Sequence, residues 1–381
     1  MRRNALFALA LAGVCATPLQ AQDADDLAAT CAGIPASQVQ IQNVNLLLTP
    51  AQREAIVEEV IDELRFACGT VATALSNLQP SIGIGFSGGN PTLGMGGTLG
   101  TRFGLMPRIS VTARVNAALA EFPELDQFAA TLSDANDELG PAPTARAAVG
   151  ALQGDVAIGV FNGITLVPML GGLGSVDLLG SVAFVPAISR VGIEEAFVTW
   201  GAGARIGILK GGLLAPGLSV SGMYRRMGEV AFGDIEDGDP GEFATDLTNL
   251  SLRAALSKGF LMLDFVIGAG YDRYTSDPSF NFAVEYDCPP TQPECAIAKA
   301  DPTQPLVLTM EPALTGEVNT AAWNVFGNVG MSLLLFSLVG EVGYQQATDL
   351  LSGENLDGRD VTEETLGEGR LFGSLGLRLT L

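Results

Sequence analysis

From about residue 81 onward, apolar residues in this chain recur at every second position. "RISVTARVNA" sets Ile109, Val111, Ala113 and Val115 against Ser110, Thr112, Arg114 and Asn116. "NLSLRAALSK" alternates Leu250, Leu252, Ala254 and Leu256 with Ser251, Arg253 and Ser257. "FLMLDFVIGAGYDRY" sends Leu263, Phe265, Ile267, Ala269 and Tyr271 one way and Asp264, Gly268, Gly270 and Asp272 the other. "LFGSLGLRLTL" carries Leu375, Leu377, Leu379 and Leu381 with Gly376, Arg378 and Thr380 between them. Such alternation belongs to strands with one apolar and one polar face. About twelve segments read this way: 81–87, 93–103, 107–117, 153–161, 174–185, 196–210, 216–227, 247–258, 261–274, 322–334, 335–346 and 369–381.

Alternation alone does not say which face meets water. A soluble β-sandwich or β-helix would turn its apolar face inward. Composition favours the opposite arrangement. Hydrophobic residues make up 48% of the 381 positions and charged residues 16%, well below the roughly 25% of soluble domains. The apolar faces are nearly free of charge, and several segments match the ~9–11 residues of a tilted membrane-crossing strand. Short connections ("FGLMP", "KGGLLAPG", "SKGF" and the join near Leu334) alternate with longer polar ones at 118–152, 186–195, 228–246, 275–321 and 347–368. Short turns on one side and long loops on the other describe an outer-membrane barrel. A helical membrane protein fits less well, since the apolar stretch 166–188 holds four glycines, two prolines and Asp177. The expected fold is all-β: a transmembrane antiparallel barrel of about twelve strands (an even count of ten to fourteen) over 79–381, with a short helical N-terminal region. The closing strand is expected to pair with the first, near Ile82–Phe86.

The N-terminus reads as a secretory signal over 1–21. Arg2 and Arg3 precede the short apolar run "ALFALALAGV", Pro18 breaks it, and Ala21 offers a small residue for cleavage. Val14 is a poor neighbour for lipidation of Cys15. Residues 22–78 are expected to form a helical hatch in or beneath the lumen, or else a periplasmic segment, with Thr49 and Pro50 as the cap and first position of the helix. Ile56, Val60, Leu64, Val71, Leu75 and Leu78 form its apolar stripe. Glu54, Glu58, Glu59, Asp62 and Glu63 form its acidic face. Cys31, Cys68, Cys288 and Cys295 remain after cleavage, and an even count in an exported chain suggests disulfides. Cys31–Cys68 and Cys288–Cys295 is the simplest of three connectivities, with "CPPTQPEC" as a closed loop tip above a hairpin of "NFAVEY" and "PLVLTM".

These features resemble Gram-negative outer-membrane β-barrel proteins. That resemblance implies residence in the outer membrane, contact with its lipid and lipopolysaccharide, and insertion by the barrel-assembly machinery. Members commonly end in a terminal aromatic, where this chain has Leu381. "FSGGNPTLGMGGTLG" (86–100) is also similar in flavour to the long-chain fatty-acid outer-membrane transporter family, whose N-terminal segment plugs the lumen.

The chain has no histidine, which removes Ser-His and Cys-His nucleophile systems and the histidine-using barrel phospholipases and omptin-like proteases. No metal or cofactor site is expected. The acidic loop "GDIEDGDPGEFATD" lacks EF-hand spacing. A net charge of −22 argues against nucleic acid as a partner. The informative residues are the expected lumenal ones: Arg102, Arg114, Arg205, Arg225, Arg253 and Arg378, opposed by Asp155, Asp177, Asp264 and Glu341. They either pair across the wall or attract an anion, be it a solute head group or the acidic face of a lumenal hatch. Two functions follow: a passive porin or transporter with a lumenal N-terminal hatch, for which the fatty-acid-transporter resemblance suggests hydrophobic or amphipathic solutes, or a non-conducting structural or surface-interaction barrel.

Overall fold

The computed structural model describes residues 35, 39–43, 49–102, 106–123, 144–164, 172–187, 196–211, 215–232, 241–286, 299–301, 306–315, 317, 318–333, 335–347 and 369–381. In chain order the elements are β1 (Gln40–Gln42), α1 (Pro50–Ser87), β2 (Thr101–Arg102), β3 (Met106–Pro123), β4 (Thr144–Phe161), β5 (Ser175–Val185), β6 (Phe197–Leu209), β7 (Gly217–Phe232), β8 (Gly241–Phe260), β9 (Leu263–Ser276), β10 (Ser279–Tyr286), β11 (Leu306–Thr315), β12 (Val318–Leu333), β13 (Phe336–Ala347) and β14 (Arg370–Thr380).

Ten of these strands close into one antiparallel wall. Neighbours run β3 to β9, then β12, β13 and β14, and β14 returns to β3 through Phe372↔Ala118 to Thr380↔Ser110. The side-chain period fixes the faces. Val111, Val115, Leu250, Leu252, Leu375 and Leu377 are exposed on the outside, while Ser110, Thr112, Arg114, Asn116, Ser251, Arg253 and Arg378 are buried inside. A sheet that is apolar outward, polar inward and without an edge suits a bilayer, where no backbone group can be left unpaired. The chain is an outer-membrane β-barrel.

The hairpin turn at Leu261–Met262, the one at Leu335, and the 162–174 and 210–216 connections share one end of the wall with Leu381, whose N–H donates to Ile109 O at 2.8 Å. The long connections lie at the other end. There β10 pairs with Gly241–Ala244 of β8, and β11 pairs with β10. β1 adds to β11 through Gln40↔Thr309 to Gln42↔Val307. "NFAVEY" and "PLVLTM" thus form a hairpin outside the closed wall, as their pattern suggested.

Two expected wall segments take other forms. Residues 81–87 are the last turns of α1, not the first strand, and 93–103 is irregular apart from β2. The wall therefore has ten strands rather than twelve, and β14 closes on β3 instead of on Ile82–Phe86. Thr49 caps α1 with a reciprocal bond pair: its N–H donates to Gln52 Oε1 at 3.0 Å, and Gln52 N–H donates to Thr49 Oγ1 at 3.4 Å. The helix then runs 38 residues with Pro80 inside it. "SIGIGFS" alternates like a strand, but every residue from Ser81 to Ser87 is buried. Its glycines serve close approach: a Cβ on Gly83 would lie 2.1 Å from the Tyr274 ring. Gly88, at φ +64°, ends the helix.

The outward belt makes a depth-dependent prediction. Val115→Arg, on the apolar outer face near mid-strand, should cost ~2–4 kcal/mol of barrel stability, and Leu261→Arg, in a hairpin turn, only ~0–1 kcal/mol. Denaturant unfolding of barrels refolded into lipid vesicles would read both. Equal effects at the two positions would contradict a lipid-facing belt.

Candidate functional site

The lumen is occupied by the protein's own chain. After Gln79, α1 enters between the strands and the backbone continues through 88–100 to the short-turn end. Ile84 packs with Ala118, Ala255, Val266, Phe326 and Phe372, and Leu99 with Ala157, Leu179 and Met223. Residues 88–100 contain six glycines. Small size is required where the segment meets the wall: a Cβ on Gly89 would approach Phe326 and Phe372 within 2.9 Å.

An irregular segment has no ladder of its own, so its backbone polar groups need other partners. Wall side chains supply them. Arg114 donates to Ser87 O at 3.0 Å and to Asn90 O at 2.9 Å. Arg253 donates to Gly89 O at 2.8 Å, and Arg378 to Leu93 O at 3.0 Å. Ser219 Oγ donates to Gly96 O at 2.9 Å. The acids take the N–H groups. Gly89 and Asn90 donate to Glu341 at 2.9 and 2.8 Å. Leu99 and Gly100 donate to Asp177 at 2.9 and 3.3 Å. Cations at the helix's C-terminal carbonyls also meet the negative end of its dipole.

The same charges pair with one another along the wall. Arg114 Nε lies 2.9 Å from Asp155, Arg205 Nη2 lies 2.6 Å from Asp177, and Arg253 Nη2 lies 2.8 Å from Asp272. Arg205 also reaches Thr92 Oγ1. Cross-wall pairing is thus one use of these charges, and Arg114 and Arg253 also bind backbone carbonyls of 87–90 rather than an anion. Arg225 and Arg378 have no carboxylate within ion-pair distance among the described residues; Arg225 donates to Ser251 Oγ and Met223 Sδ, and Arg378 to Leu93 O and Ser337 Oγ. Six buried arginines face four buried carboxylates among the described residues, so the interior is basic within an acidic protein.

Several expected site residues stand elsewhere. Arg102 is exposed on β2, outside the lumenal set, because 93–103 does not form a wall strand. Asp264 is half-buried and accepts from Ser332 Oγ at 2.8 Å. With Arg378, Ser257, Gly94, Gly96 and Thr98 it lines a cavity of about 450 Å³ at the short-turn end. Among the described residues, the acidic helix face supplies no partner to these arginines. Glu54 and Glu58 are exposed, and the arginines bind backbone carbonyls at the helix end and beyond. The side chains of Glu59, Asp62, Glu63 and Cys68 lie outside the described residues, as do Cys31, Cys288, Cys295 and the signal segment.

Sequence reasoning left three members out of the site. Asp272 is fully buried and gathers Arg253, Asn249, Asn324 and Gln345; its parity was visible in "FLMLDFVIGAGYDRY". Asn90 donates to Asn328 Oδ1 at 2.7 Å, and Asn328 donates to Glu341 at 2.7 Å. Asn90 also turns its own backbone by accepting from Thr92 N–H at 3.1 Å. Its place beside Pro91 in a glycine-rich stretch is a turn signal, but only the fold shows what the turn meets.

No protein-family profile matches the chain, and no curated protein matches its sequence. Solved structures resemble it in fold. The translocator domain of autotransporter NalP from Neisseria meningitidis is 10% identical, with 81% of this chain and 96% of that one covered at a TM-score of 0.33. The outer membrane protease OmpT from Escherichia coli is 9% identical, with 72% and 96% covered at 0.32. The CymD monoaromatic hydrocarbon channel is 10% identical, with 84% and 92% covered at 0.24. At these levels the likeness assigns no activity, ligand or partner to this chain.

Removing one member of a buried ion pair leaves the other uncompensated. Asp177→Ala should therefore destabilise the barrel by ~3–5 kcal/mol and speed hydrogen exchange at the Leu99 and Gly100 amides. Asp177→Ala with Arg205→Ala should cost clearly less than the sum of the two single changes. Additive losses in denaturant unfolding would show that the pair is not coupled.

Proposed function

We propose that the protein is a self-plugged outer-membrane barrel, closed to free diffusion at rest, whose working surface is its long-loop end. Short turns face the periplasm and long loops face outward in such barrels, so that end is assigned to the cell exterior. One observation carries the reading: residues 79–100 touch all ten wall strands. Contacts run from Tyr274 and Ser276 on β9 and Thr320 on β12, through Arg114 on β3, Arg253 on β8, Glu341 on β13 and Arg378 on β14. They continue to Ser219 on β7, Asp177 on β5, Arg205 on β6 and Gly159 on β4. An open porin has no such filling. No catalytic role belongs to the proposal, since the pairs in the lumen are spent on backbone and on each other.

A transport reading keeps one supporting observation, the cavity beside Gly94–Thr98, where the segment leaves room at the short-turn end. Passage of an amphipathic solute would then require movement of 88–100.

Planar-bilayer recording separates these readings. The unsubstituted refolded protein should show no steady open channel. Glu341→Gln combined with Arg253→Met, which removes anchors at Gly89 and Asn90, should produce intermittent openings. Steady conductance by the unsubstituted barrel would sink the plugged reading. Silence of the double variant, with unchanged amide protection at Gly89 and Asn90, would show that these anchors do not hold the segment.

A further inference from the structure

The lumenal segment has a direction. Gln79 Nε2 donates to Val318 O at 3.4 Å and also reaches Ser276 Oγ, while Thr320 Oγ1 donates to Gln79 Oε1 at 2.8 Å. Ser276 ends β9 and Val318 begins β12, so Gln79 sits at the long-loop rim. Descending from there, Asn116 meets Phe86, Arg114 meets Ser87, and Arg378 meets Leu93. Gly100 reaches Gly159 near the end of β4, and Thr101 N–H donates to Asn162 Oδ1 at 2.6 Å in the short-turn connection. The chain therefore passes once through the lumen, from the long-loop end to the short-turn end, before β3 begins.

Two observations place the preceding residues beyond the rim. β1 is bonded to β11, in the hairpin that extends from the long-loop end of β8. α1 is 38 residues long, or ~57 Å at 1.5 Å per residue, against a hydrocarbon core of ~30 Å. Residues 50–78 lie on the rim side of Gln79, with Pro80 set where the helix leaves the lumen. Glu54 and Glu58 on that part are exposed.

We infer that β1 and the part of α1 before Gln79 are presented on the outer face of the cell, the backbone of α1 joined to the first wall strand through the lumen. This segment is not a periplasmic domain. The barrel anchors it by the arginine and carboxylate contacts at 87–100, and Glu54 and Glu58 are exposed on the part beyond the rim. The inference rests on the assignment of the long-loop end to the exterior.

Intact cells treated with a membrane-impermeant maleimide provide the test. Glu54→Cys and Glu58→Cys, compared with the unsubstituted chain to remove the signal of native cysteines, should be labelled without permeabilisation. Leu261→Cys, in a short hairpin turn, should be labelled only after the outer membrane is opened. Labelling of Leu261→Cys in intact cells would reverse the assignment of the two ends. Protection of positions 54 and 58, with Leu261→Cys also protected, would sink the threading alone. If a cysteine variant fails to insert, trypsin added to intact cells carrying the unsubstituted chain gives the same readout. Cleavage after Arg53, seen by mass spectrometry after reduction, is expected; an uncut Arg53 would overturn the inference.

Discussion

A polypeptide that crosses hydrocarbon must pair its own N–H and C=O groups, because lipid offers no partner. In this protein the wall meets that demand by closing ten strands on themselves. The segment inside the wall faces the same demand with different means. It has no neighbouring strand, it carries Pro91 and six glycines between 88 and 100, and it is buried. Its carbonyls and amides are therefore answered by side chains that reach in from the wall. Lumenal arginines and carboxylates are the price of running an irregular backbone through a dry interior.

This division explains why charges with opposite sign sort as they do. Arginine serves carbonyls, because its planar fork can reach a carbonyl and a carboxylate at once. Arg114 binds Ser87 O, Asn90 O and Asp155 together, and Arg253 binds Gly89 O and Asp272. Carboxylates serve amides, with Glu341 accepting from two successive N–H groups. A lysine could supply a point charge at any of these places, but not the forked geometry. Asp177 accepts backbone N–H groups while paired with Arg205, and Glu341 does so with Asn328 and Ser374 as its side-chain donors.

The wall was legible in the sequence and its filling was not, for a physical reason. Val111, Val115, Leu250, Leu252, Leu375 and Leu377 alternate with polar residues because one face meets lipid and the other meets the lumen, so a single period reports both neighbours. Inside the lumen that contrast disappears. Ser81, Ile82, Gly83, Ile84, Gly85 and Phe86 are all buried, so their alternation of bulk and glycine records close packing rather than two solvents. Gly83 accommodates Tyr274 and Gly85 lies against Val149, which a helix does as well as a strand. Arg102 misleads for the same reason: parity has no meaning in a stretch that is not a strand. Asp272 shows the converse, a residue whose face was legible but whose partners on β12 and β13 come from strands distant in sequence.

Closure and filling are also coupled at the one place where the wall must join its sequence ends. β3 and β14 are the first and last wall strands, and their ladder from Ser110↔Thr380 to Ala118↔Phe372 completes the barrel. Arg114 and Asn116 on β3 hold Ser87, Asn90 and Phe86, and Arg378 on β14 holds Leu93. Ser374 on β14 donates to the same Glu341 carboxylate that caps Gly89 and Asn90. The lumenal segment thus bridges the seam from within, adding side-chain bonds to the backbone ladder. Residues 78–100 precede β2 and β3 in the chain and lie against both strands of the seam.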